Sequence, residues 1–145
     1  MIALIQRVQH ANVVVEGETI AAVDGGMLVF IGIEKNDTEE KAQRLLERVL
    51  NYRIFPDNED KMNLSLKDSQ GDLLLVPQFT LAAYTQKGNR PSFSSAATPE
   101  QGEKLFDYFV AQAKQSDLNV ATGQFGADMK VSLLNDGPVT FWLQV

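Results

Sequence analysis

The chain contains no cysteine in its 145 residues. Disulfides, thiolate nucleophiles and cysteine-based zinc sites are excluded together, and the absence fits a reducing compartment. Histidine is almost as scarce, His10 being the one copy. No histidine pair exists to bind zinc, and a hydroxyl–imidazole dyad has only His10 to call on, at a break between two β-forming runs. The Gly-x-Ser-x-Gly elbow, the Walker loop and the dinucleotide glycine pattern are missing. No segment approaches the roughly 18 apolar residues of a membrane helix. The apolar start, Met1 to Ile5, is too short for a signal-peptide core and is followed by Arg7 and Gln9. These absences read as a soluble cytoplasmic protein with no membrane partner, no cysteine or histidine zinc site and no nucleotide-cofactor signature. Positive charge is lacking as well. A net charge of −6 argues against DNA and against any broad grip on a duplex. It leaves room for a single-stranded RNA end held through few phosphates.

What remains is a β-rich pattern of a length that favours one domain, residues 1–145. Ile2–Gln9 and Ala11–Val15 are rich in strand formers. Glu16-Gly17-Glu18 reads as a hairpin turn into Thr19–Val23. After the turn Asp24-Gly25-Gly26, the unbroken apolar run Met27–Ile33 suits a strand covered on both faces. Asp37 and Glu40 have capping-box spacing, and the apolar residues that follow predict an amphipathic helix over Thr38–Tyr52. Asp57–Gly71 reads as a loop with room for one short strand, and Asp72–Leu81 as another buried strand. Tyr84–Ala97 has no period and is long for a compact domain, which marks it as a functional candidate. Thr98-Pro99-Glu100-Gln101 supplies an N-cap, a first-turn proline and a capping-box partner for a second helix. Val120–Thr122, Met129–Leu134 and Val139–Val145 predict closing strands. Two helices are too few to cover both faces of so many strands. The expected fold is mixed α/β (α+β), with β-sheets packed on each other and the two helices on one side.

The charged residues nominate no catalyst. Glu39, Glu40, Asp57 and Asp60 sit in caps and loops, Asp136 shapes a turn, and Asp128 precedes a strand. Arg7 has two readings. It lies on the wet face of its strand, or it points inward and needs partners such as the carbonyls of a turn, because an unpaired buried charge is costly.

Two strings stand out: Pro77-Gln78-Phe79-Thr80-Leu81 and Asn135-Asp136-Gly137-Pro138-Val139-Thr140. With Arg90-Pro91-Ser92-Phe93, and Gly123-x-Phe125-Gly126-Ala127-x-Met129, they recur in an order and spacing that resemble the D-aminoacyl-tRNA deacylases, across nearly the whole chain. The resemblance implies a homodimer that hydrolyses the ester between a D-amino acid and the terminal ribose of tRNA. It also implies tolerance of glycine, including glycine misattached to tRNA for alanine, and no need for a metal or other cofactor. The site would lie at the subunit interface, where Gly137-Pro138, with its peptide bond in cis, enters the partner's pocket. The resemblance implies Gln78, Phe79 and Thr80 as the catalytic wall and Gly137, Pro138, Phe125, Gly126, Met129 and Arg7 as substrate-binding. Where the family has Ser, this chain has Pro77, which offers neither hydroxyl nor N–H.

A mechanism follows as an expectation. Cis peptides are essentially confined to X-Pro bonds. Two carbonyls of such a turn would accept hydrogen bonds from the substrate ammonium, so that an L side chain is driven into backbone while a D side chain points out. Backbone N–H groups near Phe79 and Thr80 would stabilise the oxyanion. Thr80 is the alternative, as nucleophile, but has no base to take its proton. The ribose 2′-hydroxyl is a further group able to position water. Phe79 or Phe125 would stack on the terminal adenine, or serve the core. Two other readings compete: a non-catalytic module binding an RNA 3′ end or an amino acid, and a purely structural dimer.

Overall fold

The computed structural model describes the whole chain, Met1–Val145. Its strands are β1 (Ile2–Val15), β2 (Glu18–Val23), β3 (Gly26–Gly32), β4 (Phe55–Pro56), β5 (Met62–Leu64), β6 (Asp72–Pro77), β7 (Val120–Thr122) and β8 (Lys130–Gln144). The helices are α1 (Glu39–Asn51), α2 (Leu66–Ser69) and α3 (Pro99–Ala113), and a 3-10 turn covers Phe79–Ala82. No helix is long and apolar enough to cross a membrane.

β1 organises the molecule. Its first half, Ile2–Val8, pairs antiparallel with β3, and its second half, Ala11–Val15, pairs antiparallel with β2. β8 runs antiparallel to both halves. β6 then adds parallel to β3, and β7 parallel to β6. The apolar runs of β3 and β6 are divided by the strand period of two. Met27, Val29, Ile31, Leu73 and Leu75 join the core under α1 and α3, where Leu45, Val49 and Phe109 are buried. Leu28, Leu74 and Val76 face the other way, against Val8, Ala11, Val13, Ala21 and Val23 of β1 and β2. The result is the expected mixed α/β fold with the two long helices on one side; the packed β faces belong to one six-stranded sheet, whose β1 and β2 fold back against β3 and β6.

Several local expectations are corrected. The two expected N-terminal strands are one; β1 continues through exposed His10, which pairs with Leu134, with register shifts on either side of Val8. The two expected closing strands are also one, β8. Asp37 does not cap α1. Thr38 does, accepting from Lys41 N–H at 3.3 Å. The Asp37 carboxylate is instead buried, 2.8 Å from the Met1 ammonium, and accepts from Glu34 N–H at 2.7 Å. Thr98 caps α3 as expected, but the Gln101 amide reaches the Lys35 and Asp37 carbonyls rather than closing a capping box.

The expected loop Asp57–Gly71 holds a small hairpin, β4–β5, and α2, whose capping box is Ser65 with Asp68. Asp57 accepts from the N–H groups of Glu59 and Lys61 and from the Asn63 amide. Those two N–H groups hold its carboxyl below the usual carboxylate range. The Ser65 N–H and hydroxyl do the same for Asp68.

Candidate active site

The strand reading of Asp72–Leu81 stops at Pro77. Beyond it the chain folds onto the end of β3, with Gln78 N–H donating to the Ile31 carbonyl at 2.7 Å. Gly32 makes that approach feasible, since a Cβ there would stand 2.7 Å from Leu81 Cβ. Phe79 and Thr80 open the 3-10 turn. The leading N–H groups of such a turn have no partner within it, and neither of these two donates to a carbonyl elsewhere. Thr80 Oγ1 accepts from Gln78 Nε2 at 2.5 Å. No hydrogen bond runs from this hydroxyl to a carboxylate or imidazole, and its partner is the Gln78 amide.

The parallel pairing of β6 with β7, continued by Gly123 N–H donating to Leu75 O at 2.8 Å, brings the segment after β7 alongside Pro77. Pro77, Gln78, Phe79, Phe125, Gly126 and Met129 thereby line one cavity of about 430 Å³, closed by Ile31, Ile33 and the N-terminal turn of α3. Its wall is mainly apolar. Phe125 is half-buried, packing against Phe106 at 6.4 Å between ring centres while also lining the cavity, so its core and site readings coexist. Phe79 is 58% exposed and stacks at 5.2 Å on Phe93 of the long loop. A wider cleft of about 830 Å³ adjoins this cavity, but Glu16, Glu18 and Asp128 make it a poor host for an apolar or anionic ligand.

Thr80, the residue after Phe79, does not itself line the cavity, and Gly137, Pro138 and Arg7 are not part of that wall. Between the pairs Gln6–Thr140 and Val8–Asn135, β1 has one residue while β8 has four. The surplus is extruded as an exposed turn with a cis Gly137–Pro138 peptide. Asn135 closes its base. The Asn135 amide donates to the Arg7 carbonyl at 2.9 Å and the Val139 carbonyl at 3.1 Å, and its oxygen accepts from the Thr140 hydroxyl at 3.2 Å. Arg7 points inward, its side chain 13% exposed. It donates through Nη1 to the Ile54 carbonyl at 2.8 Å, and its Nε lies 3.2 Å from Asp136 Oδ2, an ion pair without hydrogen-bond alignment. Gly137 has φ +115°, and a Cβ there would stand 2.8 Å from Val139 Cγ2 and 3.0 Å from Arg7 Nη2. The sequence reading gives no role to Asn135 or Gly32; only the fold brings their partners to them.

The candidate residues therefore form two groups. Register sets Arg7 beside Met27 and Pro77 beside Ile31. Those positions are four residues, or roughly 13 Å, apart along β3. No group of three or more His, Asp or Glu gathers anywhere to hold a metal.

The family model described as D-Tyr-tRNA(Tyr) deacylase matches residues 4–144. A D-aminoacyl-tRNA deacylase of Escherichia coli O1:K1 / APEC is 59% identical over 145 residues, covering all of both chains. A protein of that name from Shigella boydii serotype 18 (strain CDC 3083-94 / BS512) matches to the same extent, 59% over 145 residues. Among solved structures, that of a c-Myc DNA Unwinding Element Binding Protein superposes with a TM-score of 0.95 at 39% identity, over 100% of this chain and 99% of that one. One described as a probable eukaryotic D-amino acid tRNA deacylase has a TM-score of 0.84 at 20% identity, over 99% and 98%, and attests the fold alone. With the match running the length of both sequence and fold, the chain belongs to the D-Tyr-tRNA(Tyr) deacylase family, hydrolases of the ester between an amino acid and tRNA.

Proposed function

We propose that this chain hydrolyses D-aminoacyl-tRNA at its 3′ aminoacyl end in the cytoplasm, accepts glycine misattached to tRNA for alanine, and excludes L-amino acids at a site completed by a second copy of itself. The observation that carries the reading is the division of the candidate residues. A cavity wall with free N–H donors lies at one end of β3, and an exposed, tightly framed turn lies at the other. Within one subunit the turn is too far from the wall to act on the same ester. The surface around it supports a partner copy: β8 pairs only with β1, and Leu134, Phe141 and Trp142 are exposed on it at 46%, 37% and 52%. An open edge carrying large apolar side chains calls for cover.

In the assembled site, carbonyls of the Gly137-Pro138 turn accept the substrate ammonium, while the Phe79 and Thr80 N–H groups receive the developing oxyanion. Each such donor contributes about 3–4 kcal/mol in the transition state. With ammonium and ester both fixed, a D side chain points outward and an L side chain meets backbone. Glycine passes because it has nothing to clash. Arg7, Asp136 and Asn135 hold the turn in register. Gly126 and Met129 shape the cavity floor, and Phe125 with Phe79 supplies stacking surface for the terminal adenine. Pro77 removes any serine hydroxyl from this wall, so water, the main-chain donors and the substrate's own 2′-hydroxyl carry the chemistry.

The test is to follow ester loss from D-Tyr-tRNA, L-Tyr-tRNA and glycyl-tRNA for alanine. Release from the first and third but not the second is expected; equal release of L-tyrosine removes the chirality filter. Mixing a turn variant, Gly137→Val, with a wall variant, Gly32→Ala, should restore part of the turnover lost by each, because a mixed dimer holds one intact site. No restoration would mean that each site is built within one subunit. The relative named for a DNA unwinding element raises a second reading, duplex DNA binding. A net charge of −6 disfavours it, and duplex competitor is expected to leave deacylation unchanged.

A further inference from the structure

The proposed mechanism makes no use of the segment Tyr84–Ala97. No acidic residue occurs between Asp72 and Glu100 in a chain that has 19 of them, while Lys87 and Arg90 both fall in that interval. Neither cation is engaged in an ion pair. Two acids beside the loop's returning limb and the cavity are tied elsewhere: Glu34, which pairs with Ala96, to the Met1 ammonium at 2.9 Å, and Asp128 to Lys130 at 3.1 Å. The loop is nevertheless built rather than loose. Tyr84 and Ser92 exchange backbone hydrogen bonds at 2.8 and 3.2 Å, with Lys87 and Arg90 at the tip between them, where Gly88 turns with φ +73°. Ala97 N–H donates to Ile33 O at 3.0 Å, and Lys35 N–H to Ser95 O at 3.1 Å, anchoring the returning limb beside β3. Tyr84 and Phe93 are exposed at 48% and 43%, and Phe93 stacks on Phe79, itself a wall of the cavity.

We propose that this loop holds the single-stranded 3′ end of the RNA, on the 5′ side of the nucleotide that carries the ester. The inference rests on the aminoacyl-tRNA reading above and extends it from the terminal nucleotide to those before it. Exposed aromatics beside cations are what an unpaired strand requires: bare bases stack on rings and phosphates meet Lys and Arg. A duplex offers no free base faces to such a loop, and two cations match a footprint of about two phosphates. The continuity of Phe93 with Phe79 gives the strand a path from loop tip to cavity mouth.

The experiment compares D-Tyr-tRNA with the 3′-O-D-tyrosyl ester of adenosine, which has no preceding nucleotides. For the double variant Lys87→Ala, Arg90→Ala, kcat/KM on the tRNA substrate should fall about ten-fold, and the slope of its logarithm against log salt should become shallower by about 1.4, at roughly 0.7 per phosphate of a single strand. The nucleoside ester should be hydrolysed within about two-fold of the unaltered protein, since it touches no part of the loop. Phe93→Leu, which keeps the charge, should raise KM for the tRNA roughly five-fold or more with kcat held. Equal loss on both substrates, an unchanged salt slope, or dissociation of a dimer by the double variant would each overturn the assignment. Failure of the parent reading looks different: the unaltered protein would release D-tyrosine from neither substrate.

Discussion

Gly32 sets the depth at which the 3-10 turn sits on β3, and Gly32→Ala tests whether catalysis depends on main-chain placement. The added Cβ would stand 2.7 Å from Leu81 Cβ and 3.3 Å from the Gln78 carbonyl oxygen. Carbon atoms in ordinary contact lie about 3.5–4.0 Å apart, so the turn must retreat by roughly 0.8–1.3 Å. The atoms that retreat carry the Phe79 and Thr80 N–H groups. A misplacement of about 1 Å costs on the order of a hundred-fold in rate, whereas overpacking of this kind costs about 1–3 kcal/mol of stability. That is a fraction of the roughly 5–15 kcal/mol of a typical domain, and lowers the melting temperature by roughly 3–10 °C. The expected variant is folded at assay temperature and about a hundred-fold slower. Single-turnover release of D-tyrosine from D-Tyr-tRNA, beside a thermal melt of the same sample, reads both quantities. Full turnover in a folded Gly32→Ala protein refutes the reasoning. So does a loss of rate that merely tracks the unfolded fraction.

Other changes separate the remaining roles. Gly137→Val places a branched side chain where a Cβ already meets Val139 and Arg7 at 2.8 and 3.0 Å; turnover should vanish while circular dichroism stays native, and retained turnover would remove the turn from the mechanism. Thr80→Ala should keep activity within about ten-fold if the main chain supplies the oxyanion donors, and a fall to background with the fold intact would make Thr80 the nucleophile. Asp57 supplies a pH test. Its folded carboxyl is lowered, so its contribution to stability is present above the unfolded value of about 4 and fades as pH falls through the lower folded value. The stability gap between the native protein and Asp57→Asn, from urea titrations, should therefore be widest near neutrality and close in acid. A gap that widens below pH ~4 contradicts this sign.

The sequence carried the parts of this fold that are local and periodic. The double-faced apolar run of β3, the stripe on α1 and the Thr98-Pro99 start of α3 each announce themselves within a dozen residues. What it concealed depends on distant partners. Asp37 reads as a cap until the fold brings the Met1 ammonium to it across 36 positions. The Gly-Pro step reads as a turn between two separate strands, yet β1 supplies a template on which pairing resumes after the surplus residues are extruded. α2 is four residues long, too short to show a period, and only the Ser65–Asp68 spacing hints at it. The site behaved likewise. Its strings were visible one by one, but the gathering of Pro77–Phe79 with Phe125–Met129 comes from a parallel strand neighbour that no local pattern specifies.

Because β1 pairs along its length with β2, β3 and β8, the sheet has no seam. The extruded turn cannot move away from the cavity without tearing the β1–β3 and β3–β6 ladders that join them. On the proposed reading mirror images are told apart by collision, which needs walls that do not yield, and continuous ladders supply that stiffness where a hinged pair of lobes would let the wrong hand slip through.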